Sequence, residues 1–263
     1  VVRTEKEFIG TTWGDIFSDP TVVFALICAA VPAIKEGNPL FFWKFLISPL
    51  LLFCYALTVF VWKWAHYGGN AKKLTKRRRR AAYWYLMNGI VFHFLMDFAV
   101  GTMKWDQTKT LGENYYFMDK RYGCDKRYLG STEYDPVKCP DEVGYVAILT
   151  WIEMVDMIVC FFIFRAYVQD LPSRAPLEIG LAASHIVGTI IFVGAEVYDG
   201  MENTPRAYPI SGGIKWKRSA DGFTDQLTFF WFAFVGCNPV WIIVPFIYGK
   251  SAFNEIVNAM RGK

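Results

Sequence analysis

The sequence is short of histidine, with three, and of cysteine, with six, and its long apolar stretches hold no lysine or arginine at mid-depth. Each scarcity excludes something. The cysteines and histidines are scattered, and no pair has the spacing of a zinc site. Cys28, Cys54, Cys160 and Cys237 fall inside apolar runs, where a thiol packs as a small hydrophobe. Cys124 and Cys139 share one polar loop, and a disulfide between them requires that loop to face an oxidising compartment. Low-complexity tracts and internal repeats are absent. Residues 1–20 are polar and show no signal-peptide pattern. The missing mid-depth cations matter most, because they leave the buried acids of the chain without a basic partner.

What is present is oil. Of the 263 residues 54% are hydrophobic and 18% aromatic, which is too apolar for a soluble domain, while 20% are charged, so the charges are segregated into loops and ends. A spanning helix needs ~20 mostly apolar residues. Five segments qualify: 41–64, 81–103, 143–168, 177–198 and 227–248. A sixth apolar run, 21–34, is too short to cross and reads as an interfacial helix stopped near Pro32. The expected fold class is an all-α membrane protein. It is a five-transmembrane-helix bundle with a short extra N-terminal apolar helix and two long non-cytoplasmic loops. The link 66–80 holds Lys72, Lys73, Lys76 and Arg77 to Arg80, so the positive-inside rule places it in the cytoplasm. The third-to-fourth link, with Arg165 and Arg174, and the C-terminal tail fall on the same side. Loops 104–142 and 199–226 then lie opposite. Trp62, Trp64, Trp84 and Trp105 sit near span ends, as interfacial belts do.

The fourth span carries Glu178, His185 and Glu196, and three acids, Asp97, Glu153 and Asp156, lie within the second and third spans. A carboxylate at the bilayer centre costs ~2.5–3.5 kcal/mol even on gentle insertion scales. Asp97 follows His93 by four residues, so an α-helix puts both on one face. Glu153 and Asp156 are three apart and share a face of the next span. Two carboxylates close together in low dielectric do not both ionise cheaply, so one remains a proton donor. In the fifth span Asn238 and Trp241 share a face, and Pro239 removes a helix hydrogen bond and kinks the segment. The kink widens a cavity in which Trp241 presents its ring to a cation. Carboxylic acid, imidazole and indole in an oily pocket suit alkene protonation, with the carbocation shielded and a different proton removed. A purely structural use of His93 or Trp241, as packing or a helix–helix hydrogen bond, remains open at this point.

HFLMD at 93–97, WIE at 151–153, AEVYDG at 195–200, FFWF at 229–232 and NPVWIIVP at 238–245 together resemble the emopamil-binding protein family, the sterol Δ8–Δ7 isomerases of the EXPERA domain. The resemblance runs over about residues 40–255, and its fifth-span part is the most specific. It implies a five-helix bundle of the endoplasmic reticulum membrane, often dimeric, that shifts a ring double bond without cofactor or metal. His93 corresponds to the family's catalytic histidine, Asp97 to an acid that is usually Glu, and Glu153 to the second catalytic acid. Asp156, His185, Trp231, Asn238 and Trp241 are the expected substrate-binding residues. Asp156 stands for a small hydroxyl residue in the sterol enzymes, and His185 and Thr189 stand for Gln and Asp.

The resulting division is a 1–39 extension, a 40–255 EXPERA-like membrane domain and a 256–263 cytoplasmic tail. The first functional reading is a sterol isomerase whose partners are an apolar polycyclic lipid and membrane lipids, with no nucleic acid. The altered acids motivate a second, a terpenoid or polyketide isomerase or cyclase. The long polar loops motivate a third, a non-catalytic lipid-binding or accessory subunit of a membrane complex.

Overall fold

The computed structural model describes residues 47–68, 71, 74–102, 143–198, 200 and 226–262, with isolated positions at 19, 22, 23 and 27. Loops 104–142 and most of 199–226, and with them Cys124 and Cys139, lie outside the described residues. So does nearly all of the expected 21–34 helix, of which positions 22, 23 and 27 are helical.

Among the described residues every regular element is helical. Helix α1 is Pro49–His66. Ser48, in extended conformation, accepts from Leu51 N–H at 3.3 Å, and Pro49 fills the first helical position, where a missing N–H costs nothing. Helix α2, Lys76–Met87, is capped by Thr75 in the same way and runs without a break into a π-helical stretch, Asn88–Thr102. Helices α3, Val143–Gln169, and α4, Arg174–Tyr198, follow. The last span is broken as the sequence predicts. A π-helical segment, Gln226–Cys237, gives way at the Asn238–Pro239 turn to α5, Val240–Met260. Pro239 cannot donate to the preceding turn, and its carbonyl instead starts α5 by accepting from Ile242 and Ile243 at 3.1 and 2.8 Å.

Among the described residues three stretches are long and apolar enough to cross a membrane: Pro49–His66, Arg174–Tyr198 and Phe230–Met260. The chain is an integral membrane protein by this measure. Its helices present oil outward. Phe53 and Phe60 on α1, Val155, Ile158 and Phe162 on α3, Val187 and Ile190 on α4, and Ile243 and Phe246 on α5 are all exposed. Contiguous apolar surface of this kind marks contact with lipid.

The inward faces follow the helical repeat. On α3, Asp156, Cys160, Ile163, Phe164 and Tyr167 are buried, three or four residues apart. On α4 the buried set is Arg174, Ala175, Glu178, Leu181, Ala182, His185 and Glu196. Helix α4 packs along α5, and α3 packs against the π-helical Asn88–Thr102 stretch. Both contacts need a glycine. A Cβ at Gly89 would stand 2.7 Å from Phe161 Cε1 and 3.0 Å from Cys160 Cβ, and one at Gly249 would stand 2.8 Å from Ala182 Cβ. The first of these close approaches is what brings the second span's polar residues onto α3.

Candidate active site

Five of the eight residues singled out in the sequence converge. His93, 1% exposed, turns Nδ1 to the Glu153 carboxylate on α3, in direct contact, and stands 4.0 Å from Asp97 Oδ2 by the same nitrogen. Its Nε2 faces His185 Nε2 on α4 at 2.9 Å, with the rings 4.8 Å apart. Asp156 Oδ2 lies 3.9 Å from that His185 nitrogen and accepts from Ser184 Oγ at 2.8 Å. The two acids nearest Nδ1 are the open ones. The side chains of Asp97 and Glu153 are 22% and 28% exposed, against 1% for His93, so the carboxyls present themselves to a ligand and the imidazole stands behind them.

Asn88 sets the protonation pattern of this cluster. Trp241 Nε1, which can only donate, gives its proton to Asn88 Oδ1 at 3.2 Å. That orients the amide, so Asn88 Nδ2 is the end that faces His93 Nε2, at 3.1 Å. An amide NH2 can only donate, and His93 Nε2 is therefore the acceptor. In the neutral ring the proton then sits on Nδ1, where it meets Glu153. The contact between the two histidines requires a proton as well, and it must come from His185 Nε2. This leaves His185 Nδ1 as a bare acceptor, and that buried atom has no hydrogen-bond partner. One chain of donors thus runs from the Trp241 indole through the Asn88 amide and the His93 imidazole to the Glu153 carboxylate.

Asn88 was absent from the residues singled out in the sequence because of the helix type. The α-helical repeat places residues three and four apart together, and Asn88 precedes His93 by five. The π-helix closes its turn on the fifth residue, and stretches of this kind recur at functional sites. Ser184 and Cys160 also went unread as site residues, since only the fold brings them to the histidines. Cys160, expected to pack as a hydrophobe, is fully buried as expected, yet it lies beside His93 and His185: each of the three offers a ligand atom within 4.8 Å of the others. His93, Asp97 and Glu153 form a second such group.

Three predicted substrate contacts are used differently. Asn238 spends its amide on Phe234 O, one turn back in its own helix, at 2.6 Å. Trp231 meets Phe230 edge-on at 5.1 Å. Trp241 has Phe92 packed perpendicular to it at 4.8 Å and Trp84 at 6.2 Å, so its role visible here is the N–H rather than an open ring face.

The family model EBP, described as EXPERA (EXPanded EBP superfamily), matches residues 124–250. Over those residues the chain is similar to the EXPERA superfamily. No curated protein matches it. The EXPERA match takes in Glu153, Asp156, Cys160, His185 and Trp241 and stops short of the Asn88–Thr102 stretch. His93 thus comes to the cluster from outside the matched residues, brought there by the close packing at Gly89.

Proposed function

We propose that the chain is an intramembrane isomerase that moves a ring double bond in a sterol or similar apolar polycyclic lipid. One observation carries the reading: a buried imidazole, its proton directed by Asn88 onto Nδ1, held between two half-open carboxyls on lipid-embedded helices. Asp97 or Glu153 gives a proton to an alkene carbon, forming a C–H bond and a tertiary cation. The other carboxylate, backed by His93 Nδ1–H, takes a proton from a different carbon, and the electrons of that C–H bond become the new double bond. The proton returns through His93, so no cofactor is consumed. General acid–base catalysis of this kind contributes ~10²–10⁴-fold. The surroundings fit an apolar substrate entering from the bilayer of the endoplasmic reticulum, the location the family resemblance implies.

The test is conversion of a Δ8-sterol by membranes containing the chain, read as double-bond position in the product. Wild type yields the shifted isomer, and Glu153→Gln, which keeps the shape and loses the base, falls by about 10²-fold or more. Equal product from the two proteins overturns the proposal. A second reading, lipid binding without turnover, draws on Trp241: its ring is packed by Phe92 and Trp84 and so is less free to shield a cation. Tight sterol binding by a protein that leaves the double bond in place supports it.

A further inference from the structure

We propose that His93, His185 and Cys160 form a binding site for a thiophilic divalent cation, zinc(II) above others, on the side of His93 away from Glu153. The donors come from three separate elements: the π-helical stretch, α4 and α3. This is why no Cys/His spacing in the sequence announces them. All three side chains are buried, and a ligand atom of each lies within 4.8 Å of the other two.

Two independent features point to a cation rather than to packing. The first is charge. The cluster gathers Asp97, Glu153, Asp156 and a thiol around two imidazoles. The cations of the described helices stand toward their ends or the bundle surface: Lys63 near the end of α1, Arg165 near that of α3, Arg174 at the start of α4. A dry site rich in carboxylate and poor in base is stabilised by a divalent ion. The second is the direction of the lone pairs. Asn88 and His185 both aim at the single lone pair of His93 Nε2, from 3.1 and 2.9 Å. Two donors on one acceptor is a crowded arrangement; a metal ion on that lone pair takes the place of the His185 hydrogen, and the Asn88 amide gives up its bond to Nε2. Two imidazoles on one tetrahedral zinc have their nitrogens about 3.3 Å apart, given Zn–N bonds of ~2.0–2.1 Å. The observed 2.9 Å needs an opening of a few tenths of an ångström.

Binding breaks the Cys160 S–H bond and releases one proton. One metal–sulfur and two metal–nitrogen bonds form, and His185 carries its proton on Nδ1 instead of Nε2. Asp156 stands outside this group of three, with Oδ2 3.9 Å from His185 Nε2 and bound by Ser184 Oγ, and it becomes the fourth donor by leaving Ser184. Glu153, on the opposite nitrogen of His93, becomes the carboxylate that orients a metal-bound imidazole, an arrangement common to histidine ligands. The inference shares His93 with the proposed isomerase. A metal on Nε2 holds the ring as the same Nδ1–H donor that the proposed reaction uses, so the loaded form keeps that proton facing Glu153.

The experiment uses the full chain in detergent, treated with chelator and titrated with cobalt(II), whose thiolate ligation gives a near-ultraviolet charge-transfer band. Wild type shows the band and saturates at one ion per chain. Cys160→Ala loses the band while circular dichroism remains helical, and Glu153→Gln weakens binding by about 10–100-fold. Zinc(II) displaces the cobalt and raises the unfolding temperature of wild type but not of Cys160→Ala. Absence of the band in folded wild type, or its persistence in Cys160→Ala, overturns the inference. Chelator-treated protein that isomerises sterol yet binds no cobalt sinks the metal site alone; protein that binds cobalt yet never turns over sinks the isomerase alone.

Discussion

An indole N–H has one option: it donates. From that restriction follow the orientation of Asn88, the tautomer of His93 and the presence of a proton between His93 and Glu153. Trp241 is therefore a positioning residue, acting on the imidazole through an amide. Trp241→Phe keeps an aromatic ring against Phe92 and deletes the donor. The Asn88 amide is then free to turn over, and a buried hydrogen-bonding group left unmatched costs ~1–3 kcal/mol. Turnover should fall by about 10-fold or somewhat more, a factor of ten being 1.4 kcal/mol, and the loss should appear in kcat with KM little changed. Histidine nitrogen NMR supplies the readout that a packing role would leave untouched. His93 is Nδ1–H in wild type and a mixture of tautomers in the variant. Identical spectra from the two proteins refute the assignment. At this scale the sequence was a good guide to identity and a poor one to use. His93, Asp97, Glu153, Asp156 and His185 are where ionisable groups in oil suggested, since burying a charge without purpose is costly. Asn238 was expected to line the pocket, and its Nδ2 bonds Phe234 O: a side-chain amide one turn from a carbonyl bonds locally, which the spacing alone does not reveal.

At the scale of the element, the second span decides whether the site assembles. Its π winding brings Asn88 over His93, and Gly89 lets its backbone lie against α3. Gly89→Ala places a methyl 2.7 Å from the Phe161 ring and 3.0 Å from Cys160 Cβ, both on a packed helix that has little room to yield. Overpacking of this sort costs ~1–3 kcal/mol. It also pushes His93 away from Glu153, so activity should fall further than stability alone explains. Gly180→Ala on α4 is the matched control. Nothing lies within 4 Å of its added methyl, and alanine is the better helix former by about 1 kcal/mol. Thermal unfolding followed by circular dichroism should show Gly89→Ala below wild type and Gly180→Ala at or above it; the reverse order disproves the packing argument. Helical apolar stretches were legible from composition, and so was the break at Pro239, because proline's missing donor is a local fact. The π-helix was not, since a span buried nearly all round, as residues 88–99 are, has little hydrophobic period to read.

On the scale of the whole molecule, the bundle separates two kinds of charge. The interior holds acids and imidazoles, and one end holds the arginines. At that end Arg78 meets Asp170 at 2.6 Å, Arg77 donates to Ser251 at 2.9 Å, and Gln169 Nε2 donates to Ala65 O at 2.7 Å, tying α1, α2, α3 and α5 together. The strongest tie is Arg174. It bonds Glu178 at 2.6 Å inside α4 and reaches Glu255 on α5, while Tyr167 of α3 donates to the same Glu178. The two ion pairs are unequal. Glu255 is 61% exposed, and a pair with one end in water is worth ~0–1 kcal/mol. Glu178 is 1% exposed, and removing its cation strands a buried charge at a cost of ~3–5 kcal/mol. Glu255→Gln should thus be nearly silent in denaturant unfolding, and Arg174→Met should be severe. The double variant Arg174→Met/Glu178→Leu should recover part of the loss, because no unpaired charge stays buried, while the Tyr167 hydroxyl left without its acceptor still costs ~1–3 kcal/mol. If Glu255→Gln proves as damaging as Arg174→Met, the tie lies between α4 and α5 instead of inside α4, and the buried Glu178 is satisfied by Tyr167 alone.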